Sequence, residues 1–287
     1  MSQYISTSPK PRLDLSSFVG VSAAELRRRA NDLGYECASL LARPEANPKL
    51  AKNGKLGVMS APLHLAPARL SGYQVCPKAT SGCAAACLHT AGNPAHMDGK
   101  TKARIARTRL YMEQRELFMA WLLSDIDALV QRASRANMQP SVRLNATSDI
   151  MWERVVFRVG TETHTVFSLY PDVVFYDYTK HTNRKGIPSN YTLTFSLAEG
   201  NDADAISALE NGFNVAAVVD TKRGQDIPGW FTIIDGELIP THEPSGIPTI
   251  DGDIHDFRPG DLKGHIVTLR AKGQAIGDTS GFVRKVA

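Results

Sequence analysis

Cys76, Cys83 and Cys87 place three of the chain's four cysteines inside one short stretch, "YQVCPKATSGCAAACLHT". The thiolate is the metal-binding form of cysteine, and one ion or cluster can stabilise several thiolates together. Cys83 and Cys87 are one helical turn apart, so both sulfurs can face one ligand if "CAAACL" opens a turn of helix. The intervening alanines keep that turn narrow, and Gly82 permits an unusual backbone angle where the loop enters it. A thioredoxin-type redox pair requires C-x-x-C, which is absent. A structural zinc site needs a fourth ligand, which His89 can supply, but the segment lacks the compact paired spacing usual in zinc modules. A cubane cluster held by three thiolates with one open iron fits a three-cysteine loop best, with zinc as the alternative. Cys37 stands apart.

A second group of polar residues falls at the ends of apolar runs. Asn145, Thr147, Ser148 and Asp149 close one run, and Asp177 to Lys180 close another. Ser196 and Glu199, Asp220 and Lys222, and Arg270 and Lys272 close three more. In a parallel α/β fold such strand ends meet on one face, where these folds place ligands and chemistry. Asp149 and Asp177 are the candidate general bases and Lys180 and Lys272 the candidate stabilisers of negative charge. Arg143, within its run, can contribute a bidentate anion contact. Asn145, Ser148 and Ser196 are candidate cofactor-binding polar groups.

These residues need elements to hold them. "SAAELRRRANDLGYECASLLAR" starts with Ser22 and Glu25 at capping-box spacing and continues with Leu26, Ala30, Leu33, Cys37 and Leu40 at helical period, so Cys37 is expected in an apolar helix face. The polar connector "PEANPKLAKNGK" follows. It divides an N-terminal arm and helix (residues 1–52) from the main body (53–287). "KLGVMSAPLHL" is expected as a strand leading into the cysteine loop, and residues 100–133 as one long helix. Strands follow at 141–150, 172–180, 190–199, 213–220 and 264–273, with short helical pieces near 151–157 and 165–170 and a helix at 201–212. "FTIIDGELI" suits a hairpin turning at Asp235–Gly236, and the Pro- and Gly-rich stretch after it a loop. Strand–helix alternation argues for an α/β protein with a mainly parallel sheet. Six such units suit a partial (β/α) barrel with a small helical N-terminal appendage.

The 287 residues carry a formal net charge of +4 and are 43% hydrophobic, an ordinary globular composition. No apolar stretch approaches the roughly 20 residues that span a bilayer, and the N-terminus has no secretory apolar region, so no membrane contact and a cytoplasmic location are expected. Clustered cysteines in that compartment are more often metal-binding or catalytic than disulfide-bonded. The segment "KTKARIARTR" groups Lys100, Lys102, Arg104, Arg107 and Arg109. It supports the rival reading of a non-enzymatic, metal-stabilised module that binds nucleic acid or a protein.

"YQVCPKATSGCAAACLHTAG", "KTKARIARTRLY", "RLNATSDIMWE" and "NYTLTFSLAE", in that order, resemble the phage "gene product 88" family over about residues 55–285. The cysteine loop is also similar to the C-x6-C-x2-C loop of other phage proteins with radical-SAM-like barrels. The resemblance implies a radical-SAM-like partial barrel with a [4Fe–4S] cluster on Cys76, Cys83 and Cys87. The open iron would bind S-adenosylmethionine or a small-molecule substrate directly. Radical SAM loops typically have C-x3-C-x2-C with an aromatic residue before the last cysteine, where this chain has Ala86.

Overall fold

The computed structural model describes residues 13–46, 48–87 and 98–286. The N-terminal part of the description is a short strand β1 (Leu13–Asp14), helix α1 (Ala23–Asp32) and the short helix α2 (Pro48–Ala51). Ser22 caps α1 by accepting from the Glu25 amide, whereas the Glu25 carboxylate pairs with Arg28 and Arg29 in place of closing the box. The expected longer helix stops early because Gly34 takes a left-handed φ of 85° and the Tyr35 amide closes back on the Ala30 carbonyl. Cys37 therefore lies beyond the helix, although still buried at 8% exposure.

The first long strand, β2 (Val58–Pro62), feeds the cysteine segment, whose helix α3 covers Ser81–Ala85. The expected single helix after it is two, α4 (Asp98–Glu113) and α5 (Arg115–Arg135), broken at Gln114 with φ −133° and ψ 58°. No proline or glycine marks that break. Glu113 beside it accepts hydrogen bonds from the Tyr35 and Tyr73 hydroxyls, partners brought from elsewhere in the chain.

Strand β3 (Gln139–Arg143) is followed by β4 (Phe157–Val159), β5 (Glu162–His164) and helix α6 (Val166–Leu169). β1, β4 and β5 make a small separate sheet that the sequence pattern did not suggest. Then come β6 (Val174–Thr179), β7 (Tyr191–Ser196), α7 (Asp202–Glu210) and β8 (Asn214–Val219). The expected hairpin is present as β9 (Trp230–Ile234) and β10 (Glu237–Thr241), with positive φ at both Asp235 and Gly236. The expected loop after it contains a further strand, β11 (Ile247–Asp251), before β12 (Ile266–Arg270) and β13 (Val283–Arg284).

Strands β2, β3, β6, β7, β8 and β12 lie side by side in chain order and all pair in parallel. β11 extends this run in parallel, and β9 and β10 complete the far edge antiparallel. The fold is thus a mixed α/β architecture with more than one sheet. Among the described residues no backbone ladder joins β2 to the opposite edge.

Register divides the large sheet into two chemically different faces. Ala61, Val142, Phe175, Leu193, Phe195 and Val215 share the face packed under the helices, in clusters that include Leu26 of α1, Trp121 of α5 and Ala205 of α7. Alternate residues turn to the other face, and there β2 to β7 present Ser60, Ser141, Arg143, Tyr176, Tyr178 and Ser196. An apolar outer face anchors the helices, while the polar inner face borders a cavity. Among the described residues no helix is long and apolar enough to cross a membrane.

Candidate functional site

The cavity, of about 940 Å³, opens at the C-terminal ends of the parallel strands. Cys76, Cys83 and Cys87 all line it. The loop reaches it by leaving β2, folding through Val75, whose carbonyl accepts from the Asp149 amide, and crossing to the far strands. There Ala86 is buried against Ala275 and Val283. Thr80 caps α3 by accepting from the Cys83 amide. Gly82 sits inside α3 without a left-handed φ, so it does not supply the unusual backbone angle expected of it. Its role is close approach: its amide donates to Glu199 Oε1 at 2.5 Å, and a Cβ there would meet that oxygen at 2.7 Å and collide with the Ser280 side chain.

The three thiols sit in different surroundings. Cys76 Sγ accepts from the Ala68 amide at 3.5 Å and faces the Thr147 carbonyl at 3.7 Å. Burial pushes its thiol up to about 11, with Cys87, Asp149 and Cys83 close enough to add to the rise. Cys87 lies within electrostatic reach of the buried Arg104, so a thiolate there has a cation beside it. Among the described residues no three His, Cys, Asp or Glu side chains are gathered closely enough to hold an ion as they stand. His89, the expected fourth zinc ligand, lies outside the described residues.

Of the other candidates, Asp149, Lys180, Lys272, Arg143, Asn145, Ser148 and Ser196 all line the same cavity. Their bonds distinguish them. Asn145 is 2% exposed and works as the clasp of its own loop: its Oδ1 accepts from Ser148 Oγ, the Ile150 amide and Trp152 Nε1. The Asp149 carboxylate accepts from Thr179 Oγ1 and the Lys180 amide, both at 2.8 Å, with Arg184 at 3.9 Å and His181 at 4.0 Å. Arg143 directs one amino group at both oxygens of Asp256, at 3.2 and 3.0 Å, and lies over the Tyr178 ring, so the anion it contacts belongs to this chain. Lys272 Nζ bonds Asp253 at 2.7 Å.

Asp177 does not join them. It pairs in register with Leu193 on the helix-facing side, where it accepts from the Asn145 amide and the Tyr191 hydroxyl. Burial pushes its carboxyl up to about 7 against the pull of Arg143 and those donors. It braces the loop that carries Asp149 from behind.

Several cavity residues escaped the sequence reading. His64 follows β2 as a lone histidine in an apolar run, and Asp253 and Asp256 fall in the stretch read as a loop. The basic segment splits by helical period: Lys100, Arg104 and Arg107 line the cavity, while Lys102 and Arg109 are exposed. The spacing of these three was the available signal.

A mainly parallel α/β sheet with a cysteine loop and charged side chains around a cavity at its strand ends defines the class of protein. Within it, this chain belongs to the phage gene product 88 family, whose model matches residues 39–286. No curated protein and no solved structure matches the chain.

Proposed function

We propose that this protein binds an iron–sulfur cluster on Cys76, Cys83 and Cys87 at the mouth of a partial (β/α) barrel, and that the cavity beside the cysteines is the active site of an enzyme. The observation that carries the reading is that three cysteines from one short segment share a single large cavity with the charged strand ends. A guanidinium beside Cys87 favours its thiolate, while burial holds Cys76 as the thiol, with a proton that a bound metal would displace. About 940 Å³ leaves room for a small molecule alongside a cluster. The monotonic order of six parallel strands supports the barrel-like curvature.

A cluster with three protein ligands supplies an open iron, able to act as a Lewis acid or to bind S-adenosylmethionine. This chain's own groups do the rest. Asp149, held by Thr179 and the Lys180 amide, accepts a proton at Oδ1 or Oδ2, and Lys180 and Lys272 stabilise negative charge on a substrate oxygen. The apolar residues Leu197, Val218, Leu269 and Phe282 limit water on the far side of the cavity.

Anaerobic purification followed by iron, sulfide and zinc analysis tests the reading. Iron with equimolar sulfide is expected, lost on replacing Cys76, Cys83 or Cys87 by Ala and kept in Cys37→Ala. Zinc without sulfide would overturn it. A changed EPR spectrum on adding S-adenosylmethionine separates the radical version from the Lewis-acid one.

A further inference from the structure

The same cavity concentrates the positive charge of the molecule. Among the described residues nine lysine and arginine side chains line it against three aspartates, Asp149, Asp253 and Asp256. That excess is larger than the formal net charge of +4 carried by the whole chain. Charge of one sign along the walls of a low-dielectric cleft focuses its field on whatever enters.

The excess has a centre. His64 projects into the cavity with its Nδ1 buried and without a hydrogen-bond partner. Burial, and then the positive fields of Arg104, Arg143 and Arg107, hold its ring neutral, down to about 3. Three guanidinium groups that line the same cavity thus lie within electrostatic reach of an uncharged imidazole that has a polar atom to offer, with Asp256 opposing them. The Tyr178 hydroxyl, beneath Arg143, is also buried and unpartnered. Lys49 adds a fourth cation, at 3.4 Å from Asp256. Asp256 serves both Lys49 and Arg143, so one carboxylate answers two cations at this end of the cavity. Buried polar atoms without partners are rare in native proteins, and a ligand is one explanation of such an atom in a cavity.

We propose that the His64 end of the cavity is an oxyanion subsite for a phosphate-bearing small molecule. Arg104 and Arg143 would contact its oxygens, and His64 and Tyr178 would complete the hydrogen bonding. A phosphoryl group suits the site better than a single carboxylate because its multiple charge and three terminal oxygens match several converging cations. Arg104 also neighbours Cys87, so a molecule anchored here would extend past the thiols. The inference rests on the reading above for the cavity as the working site, and not for the metal.

Calorimetric titration of the full-length, anaerobically purified protein with inorganic pyrophosphate tests it, with metal content measured on the same sample. Saturable binding is expected. Arg104→Gln should weaken it about tenfold or more, as loss of a charge-assisted hydrogen bond implies. Tyr178→Phe keeps the ring over which Arg143 lies, so it should fold normally, and it should weaken binding measurably. Lys55→Gln removes the same charge from an exposed position in a short 3-10 helix and should leave affinity unchanged. No saturable binding at millimolar pyrophosphate, or equal losses in Lys55→Gln and Arg104→Gln, would overturn the subsite. So would binding of a short single-stranded oligonucleotide while pyrophosphate fails. Iron and sulfide without pyrophosphate binding would defeat this inference alone; pyrophosphate binding without metal would defeat the cluster reading alone.

Discussion

Asp149 and Asp177 began as equivalent candidates, and the inner and outer faces of one sheet separate their roles. Asp149 borders the cavity, whereas Asp177 lies among Phe175, Leu193 and Tyr191 on the helix side. Its carboxyl is raised to about 7 mainly by burial, above the ordinary value of 3.8. Between those two values the folded state binds a proton that the unfolded chain does not. The resulting stability is full below about pH 4 and disappears as pH rises through about 7, an effect on the order of a few kcal/mol. Asp177→Asn should flatten that dependence: its urea midpoint should change less between pH 4.5 and 8 than the wild type's. Equal slopes in both proteins would mean that Asp177 ionises as freely in the fold as in the unfolded chain. The position of Asp177 near a strand end was legible from the apolar run before it, whereas Asp149 lies in the loop beyond β3, which ends at Arg143 and not at the expected residue 150. The face of Asp177 was not legible, because β6 is buried on both sides and alternation then carries no label for inside. Tyr178, one of the polar residues from Asp177 to Lys180 that close this run, was given no role for the same reason.

The cysteine helix α3 is short and gains its position from contacts rather than propensity. Its docking depends on Gly82, where the Glu199 carboxylate and the Ser280 side chain come close to the backbone. Gly82→Ala should force those groups aside and cost about 1–3 kcal/mol. A local effect of this kind should be seen as faster thiol labelling of Cys83 and Cys87 under native conditions, with Cys37 unchanged. Unaltered labelling rates would mean that the helix is held by Thr80 and Ala86 alone. A helix boundary was read where a residue supplies its own stop, as Gly212 does with φ of 77°, whereas the stop at Gly34, with φ of 85°, was overrun because apolar residues keep helical spacing beyond it. Boundaries were unreadable where the cause is tertiary. Gln114 interrupts a run whose apolar residues keep helical spacing throughout, and what accompanies the break is Glu113 held by Tyr35 and Tyr73. β11 was hidden by Pro248 and Gly246, which mark turns in most settings but here accompany a half-buried strand.

Among the described residues no backbone ladder joins the two edges of the large sheet, yet a buried polar network spans them. Asn53, just before β2, accepts through Oδ1 from the amides of Asp256 and Phe257, which follow β11. Its Nδ2 donates to Ser60 of β2 and to Tyr176 of β6. The Asp256 carboxylate, 2% exposed, meets Arg143 of β3, Lys49 and the Tyr176 hydroxyl. Burial alone would raise that carboxyl, but Arg143, Lys49 and Arg258 outweigh it and hold it well below the ordinary range. One side chain from the far end of the sheet thus ties down groups from the near end. Asp256→Asn preserves shape but leaves the half-buried Arg143 and Lys49 without their shared counter-charge, a loss of about 2–3 kcal/mol, below the cost for fully buried pairs. The carboxyl is lowered in the fold, so its contribution is present above about pH 4 and falls away as acid protonates it. Denaturation of the wild type and Asp256→Asn should therefore converge below pH 4 and diverge above it. Replacing both partners, as in Arg143→Met with Asp256→Asn, should recover part of the loss, because a buried charge without its mate costs more than the pair is worth. If the double variant is instead as unstable as the sum of the two single ones, Asp256 acts through Lys49 and Asn53, and the link between the sheet's ends runs through the segment before β2 rather than through β3.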